Sequence, residues 1–222
     1  MEYLHWNEKI ITDFSDKNIS DMYDQGYVFT RIGKGVMHQT RSVRIDLSKF
    51  ELSSENKRIL KKVGATDKEL SLKSTEVPLK DYNYKLAMDA KYFYEKKFGP
   101  GIMSAQKIKE MLTDANKSNF TNLFIYSKDA ENLGYAICYE NKNILHYSYP
   151  FYHIDMSPKD MGMGMMTMAI SHAKGTVKKY VYLGSLQRPT DTYKLQFAGL
   201  EWFDGTKWSD DLEEVKKILV KK

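Results

Sequence analysis

Cysteine is almost missing from this 222-residue chain: Cys138 stands alone, which excludes an intrachain disulfide and any cysteine cluster for zinc or an iron–sulfur centre. It falls in the strand-like run GYAICYE, where a thiol serves as a small buried apolar group more often than as a nucleophile. Paired histidines are missing too. His5, His38, His146, His153 and His172 show no metal-ligand spacing, so no metal, metal cluster or bound cofactor is expected. No apolar run approaches the ~20 residues that span a bilayer. The stretch MEYLHWNEKIITDF carries acidic residues and lacks the apolar centre of a signal peptide. Without a membrane segment or leader, the expected location is the cytoplasm. Internal repeats and low-complexity tracts are also absent.

What is present suits a globular protein, with 42% hydrophobic and 28% charged residues and enough length to bury a full core. The charge is concentrated. Between Arg31 and Lys62 nine basic residues face three acidic ones, Asp46, Glu51 and Glu55, so this segment holds the excess of a chain whose net charge is +5. Such a local field suits a phosphate backbone, although a solvated face with internal ion pairs has the same composition. The expected division is a basic N-terminal lobe over residues 1–78 and a main domain over 79–222.

In the lobe, GYVFTRIGKGVM (Gly26 to Met37) predicts a strand ending in a GKG turn. RSVRIDL (Arg41 to Leu47) alternates, with Val43, Ile45 and Leu47 on one face and Ser42, Arg44 and Asp46 on an exposed one. Ser53 or Ser54 can cap a short helix bearing Lys57, Arg58, Lys61 and Lys62. Val63 to Asp81 predicts a connecting loop. Leu86, Ala90, Phe93, Tyr94 and Phe98 then recur at helical spacing up to Gly99, and Ser104 caps a second helix. Three strands follow, near 121–127, 133–139 and 143–149, joined by polar turns.

The stretch from Ile144 to Gly184 organises the rest. An aromatic strand leads through a loop to Gly162 and Gly164 at the mouth of a helix, and the short β run YVYLG closes the unit. Glycines at a helix N-terminus gather backbone N–H groups that can hold a phosphate or a developing oxyanion; the same pattern also makes an ordinary tight turn. A loop, a short helix near Tyr193, the hairpin EWFDGTKW turning at Asp204 and Gly205, and an amphipathic C-terminal helix complete the chain.

This order of elements resembles the GNAT acyltransferase fold, an α+β fold with a mixed, mostly antiparallel sheet flanked by helices. Two variants fit. Lys159, Gly162 and Gly164 give KxxGxG, similar to the Q/RxxGxG/A turn by which acetyl-coenzyme A enzymes hold pyrophosphate. Four dispersed segments instead resemble the arginyl and leucyl aminoacyl-tRNA protein transferases. RSVRIDLSKF followed by SSENKR looks like that family's RSLRIPVxxF and SRSQRR; HYSYPFYHID is similar to its strand ending in YTFYDPD; YVYLG matches YVYLGY; YKLQFAGLEW looks like YKxxFxPLE before a tryptophan. The four residues from Tyr193 to Phe197 follow this second family. The chain departs from it in lacking the N-terminal cysteines, which Met37 to Thr40 replace, and the Asp-Pro step after the aromatic strand.

The resemblance implies transfer of an amino acid from aminoacyl-tRNA, a co-substrate and partner, to the N-terminal α-amine of a protein or peptide. His153, Asp155 and Tyr193 are then the catalytic candidates. Tyr149 and Tyr152 would stack on the terminal adenine, while Lys159, Gly162, Gly164 and Lys194 would meet a phosphate, an oxyanion or the acceptor. Arg41, Arg44, Lys57, Arg58 and Lys61 would contact tRNA phosphates. The alternatives are an acetyl-coenzyme A-dependent N-acetyltransferase and a non-catalytic RNA-binding homologue.

Overall fold

The computed structural model describes residues 3–67 and 69–220. In chain order the elements are β1 (Asn7–Ile10), α1 (Asp16–Asp24), β2 (Tyr27–Phe29), β3 (Val36–Gln39), β4 (Ser42–Asp46), α2 (Ser54–Lys62), β5 (Leu70–Glu76), α3 (Tyr84–Phe98), α4 (Ala105–Thr113) and β6 (Asn122–Lys128). They continue with β7 (Glu131–Glu140), β8 (Ile144–Tyr152), α5 (Met161–Gly175), β9 (Tyr180–Ser185), a 3-10 segment (Pro189–Gln196), β10 (Leu200–Phe203), β11 (Trp208–Ser209) and α6 (Leu212–Val220). One sheet has three strands in the order β1-β3-β2, and the other has eight in the order β11-β10-β4-β9-β8-β7-β6-β5. The fold is the expected α+β arrangement: the larger sheet is mostly antiparallel and flanked by helices, and its β8–β9 pair is parallel, connected through α5.

The chain divides into two compact units. The first takes the residues up to Ser53, then Asn141–His146 and everything from Ala173; the second takes Ser54–Glu140 and Tyr147–His172. The boundary expected at residue 78 falls inside the second unit.

In the first unit, β4 lies between β9 and β10 with Arg44 opposite both Tyr182 and Glu201. Val43, Leu186, Leu195, Leu200, Trp202, Val215 and Leu219 form one apolar cluster on which α6 rests. The expected exposed face of β4 does not exist. Ser42 is fully buried and Arg44 is 8% exposed, because Ser42 donates to the Gly26 carbonyl and aromatic rings cover Arg44. The strand expected over Gly26 to Met37 is the hairpin β2–β3, turning where Gly35 adopts φ 78° against the Ile11 carbonyl.

In the second unit, β5, β6 and β7 pair antiparallel. α5 packs on the face that carries Phe124, Tyr126 and Gly134: the Tyr126 hydroxyl donates to the Met165 carbonyl, and Phe124 meets the His172 ring edge-on. Gly134 is needed there, since a Cβ would lie 2.7 Å from the Met165 sulfur. α3, capped by Asn83, lines the other face, and α4 begins at Ser104 as expected, its hydroxyl accepting from the Lys107 N–H. The segment expected as a loop contains β5. Its sequence LSLKSTE runs from a buried Leu70 through half-buried and exposed positions because the strand forms the edge of the sheet.

Candidate functional site

The expected residues fall into three places. In the second unit, the loop after β8 is tied back by the His153 N–H donating to the Leu133 carbonyl. This sets the His153 ring at the border of a groove of about 1640 Å³ floored by Leu123, Ile125, Leu133 and Tyr135 and walled by α3. Nε2 of His153 lies 4.0 Å from Oδ2 of Asp89, and both side chains are about a quarter exposed. Burial raises the Tyr135 hydroxyl above its usual range, with the nearby Asp89 carboxylate adding to the effect. Asp155 is exposed and its Oδ2 accepts from the Tyr92 hydroxyl at 3.0 Å. Sequence reasoning missed Asp89: it is one polar position of an amphipathic helix, and nothing local marks it.

The glycine pair is placed differently from expectation. α5 begins at Met161, so both glycines lie inside its first turns, and the Gly164 N–H already donates to the Asp160 carbonyl. A Cβ on Gly164 would stand 2.7 Å from a Val63 methyl, and one on Gly162 would stand 3.3 Å from the Tyr152 ring. Close packing therefore explains both. Asp160, at φ 75°, sets a carboxylate at this helix end, and its Oδ2 accepts from Lys62 Nζ at 2.7 Å. That bond holds the carboxyl below its usual range, helped by the charges of Lys62, Arg58 and Lys159. A second anion at this helix end would meet Asp160 before it met free amides.

Tyr152 also meets the Phe93 ring at 4.8 Å, and Tyr149 meets Phe120 edge-on at 5.2 Å, so both expected stacking tyrosines pack within the protein. On α2, Arg58 forms a two-point pair with Glu55, each contact 2.7 Å. Lys57 and Lys61 are exposed and form no ion pair among the described residues.

In the first unit, three of the dispersed segments meet. Arg44 donates to Glu201 at 2.8 Å and to Asp24 at 2.9 Å, and its guanidinium lies 3.9 Å from the Tyr180 ring centre and 4.1 Å from that of Trp208. Arg41 is buried too, with one long contact to the Leu186 carbonyl and an Nε that has no partner. Neither arginine faces solvent, which leaves Lys57, Arg58 and Lys61 as the expected phosphate contacts that do.

Lys194 is the third place. It is 8% exposed, its Nζ donates among the described residues only to the Ser185 carbonyl at 2.9 Å, and burial lowers its pKa while Asp191 partly opposes the shift. Its charge and, more strongly, burial depress His146 to about 3, so that imidazole is neutral and shares a 2.8 Å hydrogen bond with the Tyr23 hydroxyl. Tyr193 is 44% exposed as a residue, yet its surroundings and the Asp191 carboxylate push its hydroxyl up to about 12, so it stays protonated at neutral pH. Cys138 is fully buried, which pushes its thiol up and leaves it unsuited to nucleophilic chemistry. Among the described residues, no three His, Cys, Asp or Glu side chains converge to hold a metal, and no helix is long and apolar enough to cross a membrane.

No family model and no curated relative matches the chain. Several solved structures are similar in fold. The C-terminal domain of a putative lysylphosphatidylglycerol synthetase from Agrobacterium fabrum is 16% identical, over 82% of this chain and 55% of that one, with a TM-score of 0.49. L-PGS from Bacillus licheniformis is 12% identical, over 92% and 69%, at 0.49. An aminoglycoside acetyltransferase from an uncultured soil metagenomic sample is 12% identical, over 58% and 84%, at 0.38. The chain thus spans about half the length of the first. At these identities the likeness concerns fold alone.

Proposed function

We propose that this protein transfers an amino acid from aminoacyl-tRNA to the α-amine of a peptide or protein. The observation that carries the reading is the convergence of separated segments: Arg44 from RSVRIDLSKF, Tyr180 from YVYLG, and Glu201 and Trp208 from the last segment form one ion-pair and aromatic knot, with Lys194 of the same last segment in that unit. A pattern spread over more than 160 residues has one structural cause.

The chemistry asked of the chain is modest, because the ester of an aminoacyl-tRNA is already activated. A free α-amine with a pKa near ~8 is partly neutral at pH 7, and positioning with charge stabilisation supplies most of the acceleration. His153, beside Asp89, is the proton acceptor for the attacking amine. Lys57 and Lys61 are the phosphate contacts. The acetyl-coenzyme A alternative is disfavoured by the packing over Gly162 and Gly164.

The test is incubation with a pool of labelled aminoacyl-tRNAs and peptides of varied N-terminal residue. Label moving to α-amines, and lost in His153→Ala, is the expected result. Saturable low-micromolar coenzyme A binding with no label transfer from any donor would sink the reading.

A further inference from the structure

The groove of the second unit brings a carboxylate and an imidazole together. Among the described residues the Asp89 side chain accepts no hydrogen bond and the His153 ring makes none, and the two lie 4.0 Å apart. Asp89 and His153 stand at the end of an apolar floor made by Leu123, Ile125 and Leu133. Lys73, Lys80 and Lys85 also line the groove, balanced by Glu76, Asp81 and Glu131. Lys73 pairs with Ile125, which pairs with Tyr135, so its Cα lies two strand spacings, roughly 9–10 Å, from that of the tyrosine near Asp89.

A single ammonium fits against Asp89 and His153. A ligand with one ammonium joined to an apolar body matches both the carboxylate and the floor.

We propose that the groove binds the N-terminal segment of the acceptor peptide, its α-ammonium donating to Asp89 and its first side chain, large and apolar, lying on Leu133 and Ile125. The choice of an α-amine rests on the aminoacyl-transfer reading. In the reaction, one ammonium proton passes to Nε2 of a neutral His153, giving an imidazolium beside the Asp89 carboxylate. The freed nitrogen lone pair forms the bond to the ester carbonyl carbon. The C–O bond to the ribose breaks, and the ribose oxygen keeps that electron pair and takes up the second proton, which the nitrogen sheds as the amide forms.

The experiment is fluorescence anisotropy with the peptide Phe-Ala-Ser-Thr-Gly-Ser labelled at its C-terminus, in free and N-acetylated forms. The full chain should prefer the free amine by about tenfold or more, as expected of a charge-assisted hydrogen bond in a partly buried site. Asp89→Asn should abolish the preference while the far-ultraviolet circular dichroism stays unchanged, since among the described residues that carboxylate makes no side-chain hydrogen bond and its pair with His153 is a long 4.0 Å contact. Leu133→Ser should weaken both forms equally. Equal binding of the two peptides by the wild type, a preference that survives in Asp89→Asn, no binding of either, or more effective displacement by spermidine than by unlabelled peptide each overturns the proposal. Asp89-dependent binding without any label transfer leaves the groove standing and removes the catalytic reading; transfer without an Asp89-dependent preference does the reverse.

Discussion

Replacing Arg44 separates a structural arginine from a phosphate contact. Its side chain is 9% exposed and that of its partner Glu201 16%, so Arg44→Ala leaves a nearly buried carboxylate without its main counter-ion. Removing one member of a buried pair costs about 3–5 kcal/mol. Asp24 is half exposed and adds little, while Lys49, 3.5 Å from the other Glu201 oxygen, compensates in part. The loss should therefore fall near the lower bound, about 3 kcal/mol. With a urea slope of about 2 kcal/mol/M, the midpoint falls by about 1.5 M, read by far-ultraviolet circular dichroism. Arg44→Lys should be intermediate, because an ammonium keeps the charge but cannot stack between Tyr180 and Trp208 while donating to two carboxylates. Arg44→Met with Glu201→Met should recover most of the stability. A midpoint for Arg44→Ala within about 0.3 M of wild type, together with weakened tRNA binding, would refute this reasoning, since the arginine would then be free to serve as a phosphate contact.

Three further outcomes are expected. Lys57→Glu with Lys61→Glu should weaken tRNA binding and flatten the slope of log K against log salt by about 0.7–0.9 per lost contact, leaving the thermal midpoint in place; an unchanged slope removes α2 from the tRNA site. His146 is depressed to about 3 when folded against 6.5 when unfolded, so its contribution is full above pH 6.5 and is lost as the pH falls toward 3. From pH 6.5 to 4.5 the wild type should lose about 2–3 kcal/mol more stability than His146→Asn, and parallel curves would contradict the buried neutral imidazole. Gly164→Ala should destabilise by about 1–3 kcal/mol despite the better helix propensity of alanine, and Val63→Ala should relieve it; no loss would mean that Val63 does not pack on α5.

The helices α2 to α6 and the three strands β6 to β8 were legible because their apolar periods and caps are local signals. β5 was not. LSLKSTE carries too few apolar residues to announce a strand, since an edge strand meets one neighbour and leaves half its surface in water. Arg44 shows a different limit. Alternation places it correctly, opposite Val43 and Ile45, but the rings and carboxylates that enclose it come from residues 24, 180, 201 and 208, far off in sequence. Gly162 and Gly164 were noticed for their backbone amides, whereas their lack of side chains is what the packing uses. Of the groove residues, His153 was visible as a residue type in a resembling pattern. Asp89 emerged only when α3 was laid over β7.

The composition that hid β5 also governs how the protein behaves at high concentration. An edge strand presents a row of unpaired backbone groups that a second copy can extend. Here Lys73 and Glu76 project from a strand otherwise made of serine, threonine and leucine, so a docking copy would have to bury charge along the seam. At the opposite edge, β11 is two residues long and offers almost no template. Both ends of the eight-stranded sheet thus discourage edge-to-edge growth into fibres, one by charge and the other by brevity.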